Sequence, residues 1–269
     1  MDRNPSIKAE EDEEDRDMDW NPSIGLETLR IPPGVGTLEG FRRWTWSECF
    51  PEHGRIDFLA GELEIDLSPE NLFKHGTVKT AIAACLHEAV SSTGRGAVFV
   101  DCTRIVSVDA DLSVEPDVVA VLWDSLEAGR VLRVPAADGE PDSFIELEGT
   151  PDLVVEVISD SSQGKDRRRL PPLYAKAGVP ELWLVDARAK RGKGIALGIH
   201  LLGANGYVLA PPDADDWSES PFLGRRCRLR RHSVRDLGFT YQLELGRRPR
   251  VVSAGTSAGR ARRRSSGGS

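Results

Sequence analysis

Residues 151–186 read PDLVVEVISDSSQGKDRRRLPPLYAKAGVPELWLVD. The run Leu153-Val154-Val155-Glu156-Val157-Ile158 is apolar except for one carboxylate, the composition of a strand covered on both faces. Period-two geometry puts Leu153, Val155 and Val157 on one face and Val154, Glu156 and Ile158 on the other. A helix over Asp166–Ala177, stopping at Gly178, then leads into a second apolar strand at Glu181–Val185. Burying an unpaired carboxylate costs several kcal/mol or neutralises it. Glu156 is therefore expected either to hold a metal or to pair with an arginine of the Arg167–Arg169 cluster.

Upstream, Glu115-Pro116-Asp117 runs directly into Val118-Val119-Ala120-Val121-Leu122, a second buried strand. Proline donates no ladder hydrogen bond and is tolerated where a strand begins, so Asp117 is expected at the rim of the sheet. If the two strands are neighbours, Asp117 and Glu156 come within the span of one ion. Two carboxylates, a backbone carbonyl and water suit Mg²⁺, which can polarise a phosphodiester and activate water. Two other Pro-Asp pairs compete. Pro141-Asp142 lies in a polar loop, and Asp152 is about 13 Å from Glu156 along its own strand, which fits a capping residue.

Around these strands, Phe41–Phe50 predicts a short amphipathic helix, and Arg55–Leu67 a hairpin turning at Ala60-Gly61 with Leu63, Ile65 and Leu67 alternating in its second arm. Residues 75–93 form the clearest helix, with Val78, Ile82, Leu86, Ala89 and Val90 at helical spacing and Gly94 near its end. One strand is expected over Ala97–Val108, and short strands resume at Ile199–Leu202 and Tyr207–Leu209. The order predicts an α/β (α+β) fold, a mixed sheet with helices on its faces.

The 269 residues carry a net charge of −8, unevenly spread. Residues 1–19 hold −6, residues 247–269 hold +7 with no acid, and −9 remains between them. Both ends are expected to be disordered: an acidic segment 1–37 and an Arg/Gly/Ser-rich tail 246–269 flank a folded domain 38–245. No apolar run approaches the roughly 20 residues of a membrane span, and no signal-like segment opens the chain. The four cysteines show no CxxC spacing, which fits free thiols in a cytoplasmic protein and gives a zinc site no support. His87-Glu88 lacks the second histidine of HExxH, and neither a Gly-x-Ser-x-Gly elbow nor a GxxxxGK[ST] loop occurs.

Pro151–Ser159, Asp166 and Tyr174–Asp186, together with Gly61-Glu62-Leu63, Leu67-Ser68-Pro69, His75 and Glu115-Pro116-Asp117, resemble the Uma family of restriction endonucleases in the PD-(D/E)XK nuclease superfamily. The resemblance covers about residues 38–245 and is most specific over 151–186. It implies a restriction-endonuclease-like core and a metal-dependent DNA endonuclease using Mg²⁺ or Mn²⁺. Asp117 and Glu156 would hold the ion, with the Val157 carbonyl as a further ligand. By analogy with that fold the chain would also form a homodimer.

One departure stands out. The superfamily lysine would fall at Ile158, and the relocated basic position four residues after Asp166 is Leu170, followed by Pro171-Pro172. Lys165, Arg168 or Arg169 is left to supply the cation, and the catalytic set is taken as Asp117, Glu156, Lys165 and Arg169. A degenerate, non-cleaving protein that binds nucleic acid or a protein partner is the alternative. Glu62 and His75 are accessory candidates: a hairpin carboxylate such as Glu62 or Asp57 is most simply solvated, and a helix-terminal histidine is most simply a capping or surface group. Arg225, Arg226, Arg228 and Arg230 alternate on a strand that could contact phosphate backbone, or could equally be a solvated edge.

Overall fold

In the computed structural model the described residues are 29–188, 195–235 and 238–247. The acidic segment through residue 28 and the arginine-rich tail from residue 248 lie outside them, as do the expectations of disorder placed there. Helix α1 (Leu38–Thr45) starts earlier than its aromatic run because Thr37 caps it, its Oγ1 accepting from Gly40 N–H at 3.1 Å. The hairpin forms as expected from β1 (Arg55–Leu59) and β2 (Glu62–Asp66), with Ala60 and Gly61 both at positive φ. Its apolar pattern is inverted, however. β2 is a sheet edge, leaving Ile65 and Leu67 exposed, while β1 lies between two strands and is buried.

The long helix runs as a π-helical turn (Leu72–Gly76), α2 (Thr77–Leu86) and a second π-helical turn (His87–Ser91). Asn71 caps it by accepting from Phe73 and Lys74 N–H. The run 97–108 is two strands, not one. β3 (Gly96–Val100) and β4 (Arg104–Ser107) belong to different sheets, parted by Asp101 and Cys102, both at positive φ. After β5 (Leu112–Val114) come β6 (Val118–Leu122), α3 (Trp123–Glu127), β7 (Val131–Pro135) and β8 (Phe144–Gly149). Then follow β9 (Leu153–Val157), a π-helical turn (Lys165–Arg169), α4 (Leu170–Lys176) and β10 (Glu181–Asp186). Next come β11 (Ala196–Gly203), β12 (Gly206–Ala210) and the three-stranded sheet of β13 (Ser218–Ser220), β14 (Arg225–Val234) and β15 (Gly238–Leu245).

The first large sheet has the order β2-β1-β5-β4-β8-β7 and the second β12-β11-β10-β9-β6-β3, both mixed. Val78, Ile82, Leu86 and Val90 of the long helix bury against Val118, Ala120, Leu153, Val155 and Trp183 on one face of the second sheet. Each such side chain contributes roughly 1.5–3 kcal/mol by leaving water. The other face (Val119, Val121, Val154, Leu182) meets α4 and the first sheet through Leu170, Tyr174, Leu112 and Val114. β6 and β9 are therefore covered on both sides, as their composition requires. Asp152 does hold a helix start. It accepts from Leu122 N–H at 2.7 Å and Ser125 Oγ at 2.8 Å where α3 begins.

Candidate active site

β6 and β9 are antiparallel neighbours with Val118 opposite Val155, so Asp117 and Glu156 fall at adjacent places across the ladder. Both are buried. Asp117 sits in the three-residue link by which the chain passes from β5 in the first sheet to β6 in the second. Its Oδ2 accepts from Val157 N–H at 2.6 Å and lies 3.3 Å from His75 Nε2, while Oδ1 accepts from Arg55 at 2.8 Å. Burial disfavours the Asp117 charge, yet the hydrogen bond from His75 and the charges of Arg55 and His75 hold its carboxyl well below the usual range.

Glu156 has the opposite character. Burial, then the charges of Asp117 and Asp166, push it up to about 8. Its hydrogen-bond partner among the described residues is not an arginine of the following turn but the Tyr174 hydroxyl, which donates to Oε1 at 2.5 Å. Arg167 instead pairs with Asp186, and Arg169 with Glu62 and Glu64. Tyr174, by its residue type a core or rim aromatic, thus touches Glu156; the signal was its place in the helix facing the Glu156 side of the strand.

His75 corrects the expectation of a surface cap. It is buried between Asp117 and Glu70, whose Oε2 lies 3.1 Å from Nδ1. Burial opposes its protonation, but the Asp117 and Glu70 carboxylates beside its ring nitrogens raise it to about 9. The imidazolium beside it in turn brings Glu70 down to about 2. Ligand atoms of Glu70, His75 and Asp117 lie within 4.8 Å of one another. Glu70 had not been singled out in the sequence, where only its position in Ser68-Pro69-Glu70 shortly before His75 marked it.

Asp57 is a second correction. It is 1 % exposed, not solvated: Oδ1 accepts from Glu115 N–H at 3.0 Å and Oδ2 from Lys165 Nζ at 2.8 Å. Lys165 is itself buried, and although burial opposes its charge, Asp57 and Glu156 raise its pKa. The Lys165 ammonium is thus held by Asp57 and its charge favours ionisation of Glu156, while Leu170 is wholly absorbed in the core. Arg169 and Glu62 bind each other on the hairpin's outer side, 2.7 Å apart, and are not joined to Asp117 or Glu156.

A cleft of about 330 Å³ opens over this cluster, lined by Arg55, Glu70, His75, Lys79 and the hydroxyls of Ser159, Ser161 and Ser162 among others. Burial pushes Asp166 up to about 6; Ser162 donates to its Oδ2, while the buried Oδ1 has no hydrogen-bond partner. Two carboxyls raised in pKa, one with an orphaned oxygen, and an ionised third make an oxygen-rich donor set among the charges of Arg55, His75 and Lys165. That chemistry fits a hard divalent cation.

On β14, Cys227 and Leu229 face inward and Arg225 is half-buried. Arg226 and Arg228 do alternate outward, but Asp213 and Glu244 neutralise them and both lie over Trp217. The expected positive stripe therefore shortens to Arg230 and what lies beyond it. The four cysteines are free, and among the described residues no helix is long and apolar enough to cross a membrane.

The family model described as "Uma2: Putative restriction endonuclease" matches residues 38–230. Among solved structures, this chain is similar to a putative nuclease belonging to DUF820 from Anabaena variabilis, with a TM-score of 0.50 and 18% identity. That match covers 70% of this chain and 90% of the other, and at that identity it bears on the fold alone. No curated protein matches. With the family's pattern spanning most of the described residues and a nuclease-like fold beneath it, the chain belongs to the Uma2 family of putative restriction endonucleases.

Proposed function

We propose that the protein is a divalent-metal-dependent endodeoxyribonuclease acting at the cleft over Asp117 and Glu156. The observation that carries this reading is Lys165: a buried lysine, held 2.8 Å from Asp57 and bearing electrostatically on Glu156, would supply the cation that Leu170 cannot. Asp117, Glu156 and the Val157 carbonyl would hold Mg²⁺ or Mn²⁺, with Glu70 and His75 flanking Asp117 on its other side. Bound there, the ion supplies Lewis-acid polarisation of a phosphoryl oxygen and acidifies a water molecule.

The chain's own groups do the rest. Asp57 holds the Lys165 ammonium in place and keeps it protonated, so Lys165 stabilises charge growing on the phosphate and is not the base. His75 is charged at neutral pH and fixes the orientation of Asp117. Tyr174 fixes that of Glu156. Arg55 balances Asp117 and offers a guanidinium to an incoming phosphate along the cleft. DNA is the partner this reading requires, and a second copy of the chain, expected by analogy with the fold, would appear as a dimer in solution mass measurements.

Nicking of supercoiled plasmid with Mg²⁺ or Mn²⁺ tests the proposal, comparing wild type with Asp117→Ala and Glu156→Ala. Metal-dependent nicking lost in both variants is the expected result. Nicking that survives both substitutions sinks the assignment. A wild type that binds DNA but never nicks it favours the degenerate reading, whose supporting observation is the loss of the family's helix cation to the buried Leu170.

A further inference from the structure

The outer end of the β14–β15 hairpin meets the π-helical turn that carries Phe73 and His75, and it differs in character from the root. At the root, Cys227 and Leu229 pair with Leu245 and Leu243 and bury against the second sheet. Beyond Leu229 every residue of β14 is exposed: Arg230, Arg231, His232, Ser233 and Val234. At the root Arg226 and Arg228 are balanced by carboxylates, but among the described residues no carboxylate lies within ion-pair distance of Arg230 or Arg231. Across the ladder from them stand the uncharged Gln242 and Tyr241. The Arg231 guanidinium lies 4.5 Å from the centre of the exposed Phe239 ring.

The tip is fixed in space by Phe73. A Cβ on Gly238 would come within 2.7 Å of the Phe73 ring, so glycine (φ +140°) lets the two meet. Phe73 belongs to the same π-helical turn as His75, whose Nε2 is 3.3 Å from Asp117. The hairpin's outer part is thereby set against the turn that carries His75, with Arg231 and Phe239 on one face of the ribbon and Arg230 on the other. The chain as a whole is at −8, so two neighbouring arginines with no carboxylate partner among the described residues stand out against that background. Exposed aromatic rings interleaved with unpaired guanidinium groups match the two features of a nucleic acid strand, its phosphates and its base faces.

We infer that the tip of this hairpin, through Arg230, Arg231 and Phe239, holds the phosphate backbone of nucleic acid flanking the bond presented to the cleft. This inference rests on the nuclease reading for its ligand but not on cleavage itself. The salt dependence of binding tests it, using a labelled 30-base-pair duplex and the full chain in EDTA, so that no cleavage can occur. The Arg230→Ala/Arg231→Ala double variant should bind about tenfold more weakly, with the log–log salt slope reduced by about 2. Arg226→Ala/Arg228→Ala, whose charges are already paired, should shift the slope by less than half as much. Because all these side chains are at the surface of the hairpin, melting curves of the variants check that the fold persists.

An unchanged slope in the tip variant, or an equal change in the root variant, overturns the inference while leaving plasmid nicking to decide the nuclease reading. A wild-type chain that fails to bind duplex or single-stranded DNA at low salt also overturns it. Loss of nicking in Asp117→Ala together with an unaltered tip slope would keep the nuclease reading and discard this surface.

Discussion

Lys165 carries its Nζ to 2.8 Å from Oδ2 of Asp57, 108 residues away in sequence, and both side chains are almost wholly buried. Removing one member strands the other charge in the interior, at a cost of about 3–5 kcal/mol, whereas replacing both with apolar groups can be nearly neutral. Lys165→Met should therefore lower the urea midpoint strongly, and Asp57→Leu/Lys165→Met should recover most of the loss. Nicking should vanish in both. A double variant that regains stability and activity together would show that Lys165 serves only the fold.

Tyr174→Phe removes the hydroxyl donated to Glu156 and leaves a buried acceptor without its partner. The expected cost is about 1–3 kcal/mol in chemical denaturation. Divalent ions should offset part of it by drawing Glu156 into its charged form, so the deficit measured in EDTA should shrink when Mg²⁺ is added. An equal deficit in both conditions would argue that no ion reaches Glu156.

Arg169→Ala should leave nicking within a factor of two of wild type. Its guanidinium is committed to Glu62 and Glu64 on the edge strand. A partly exposed pair of this kind contributes about 0–1 kcal/mol, and thermal melting should register no more. A hundredfold loss of nicking would instead return Arg169 to the catalytic set.

Hydrogen bonds from Arg188, against some burial, bring Asp186 down to about 2, with Arg167 and the Arg188 N–H assisting. A folded value below the ordinary 3.8 means that this carboxylate stabilises the fold above pH 3.8 and loses that contribution as pH falls towards 2. Asp186→Asn should therefore flatten the fall of the urea midpoint between pH 4 and pH 2, and change its value most near neutral pH. Parallel curves for the two proteins would contradict the pairing.

What the sequence disclosed follows from which contacts are local. Glu156 stood out because five apolar neighbours surround it, and Asp117 because Pro116 opens the strand behind it. Their adjacency required only that β6 and β9 pair, as they do. Asp57 was hidden because a carboxylate on a hairpin normally meets water. Here β1 is flanked by β2 and β5, and Lys165 arrives from the turn before α4. His75 was misjudged for the same reason: its partner Asp117 is 42 residues downstream. The break at Asp101-Cys102 was equally invisible, since neither residue type announces positive φ. Long-range pairing of charged groups leaves no periodic trace, whereas burial of whole strands does.

The chain passes between the two large sheets five times from β2 to β9, and one of those passages is the Glu115-Pro116-Asp117 link itself. Neither sheet is a contiguous stretch of sequence, so neither can be excised, permuted or grafted with its half of the cluster intact. Arg55 and Asp57 belong to one sheet, Glu156 to the other, and the chemistry exists only while both are assembled. Loss of the cleft and loss of the fold should consequently be a single cooperative event. A partly unfolded chain, with one sheet frayed, would carry no assembled cluster of these residues.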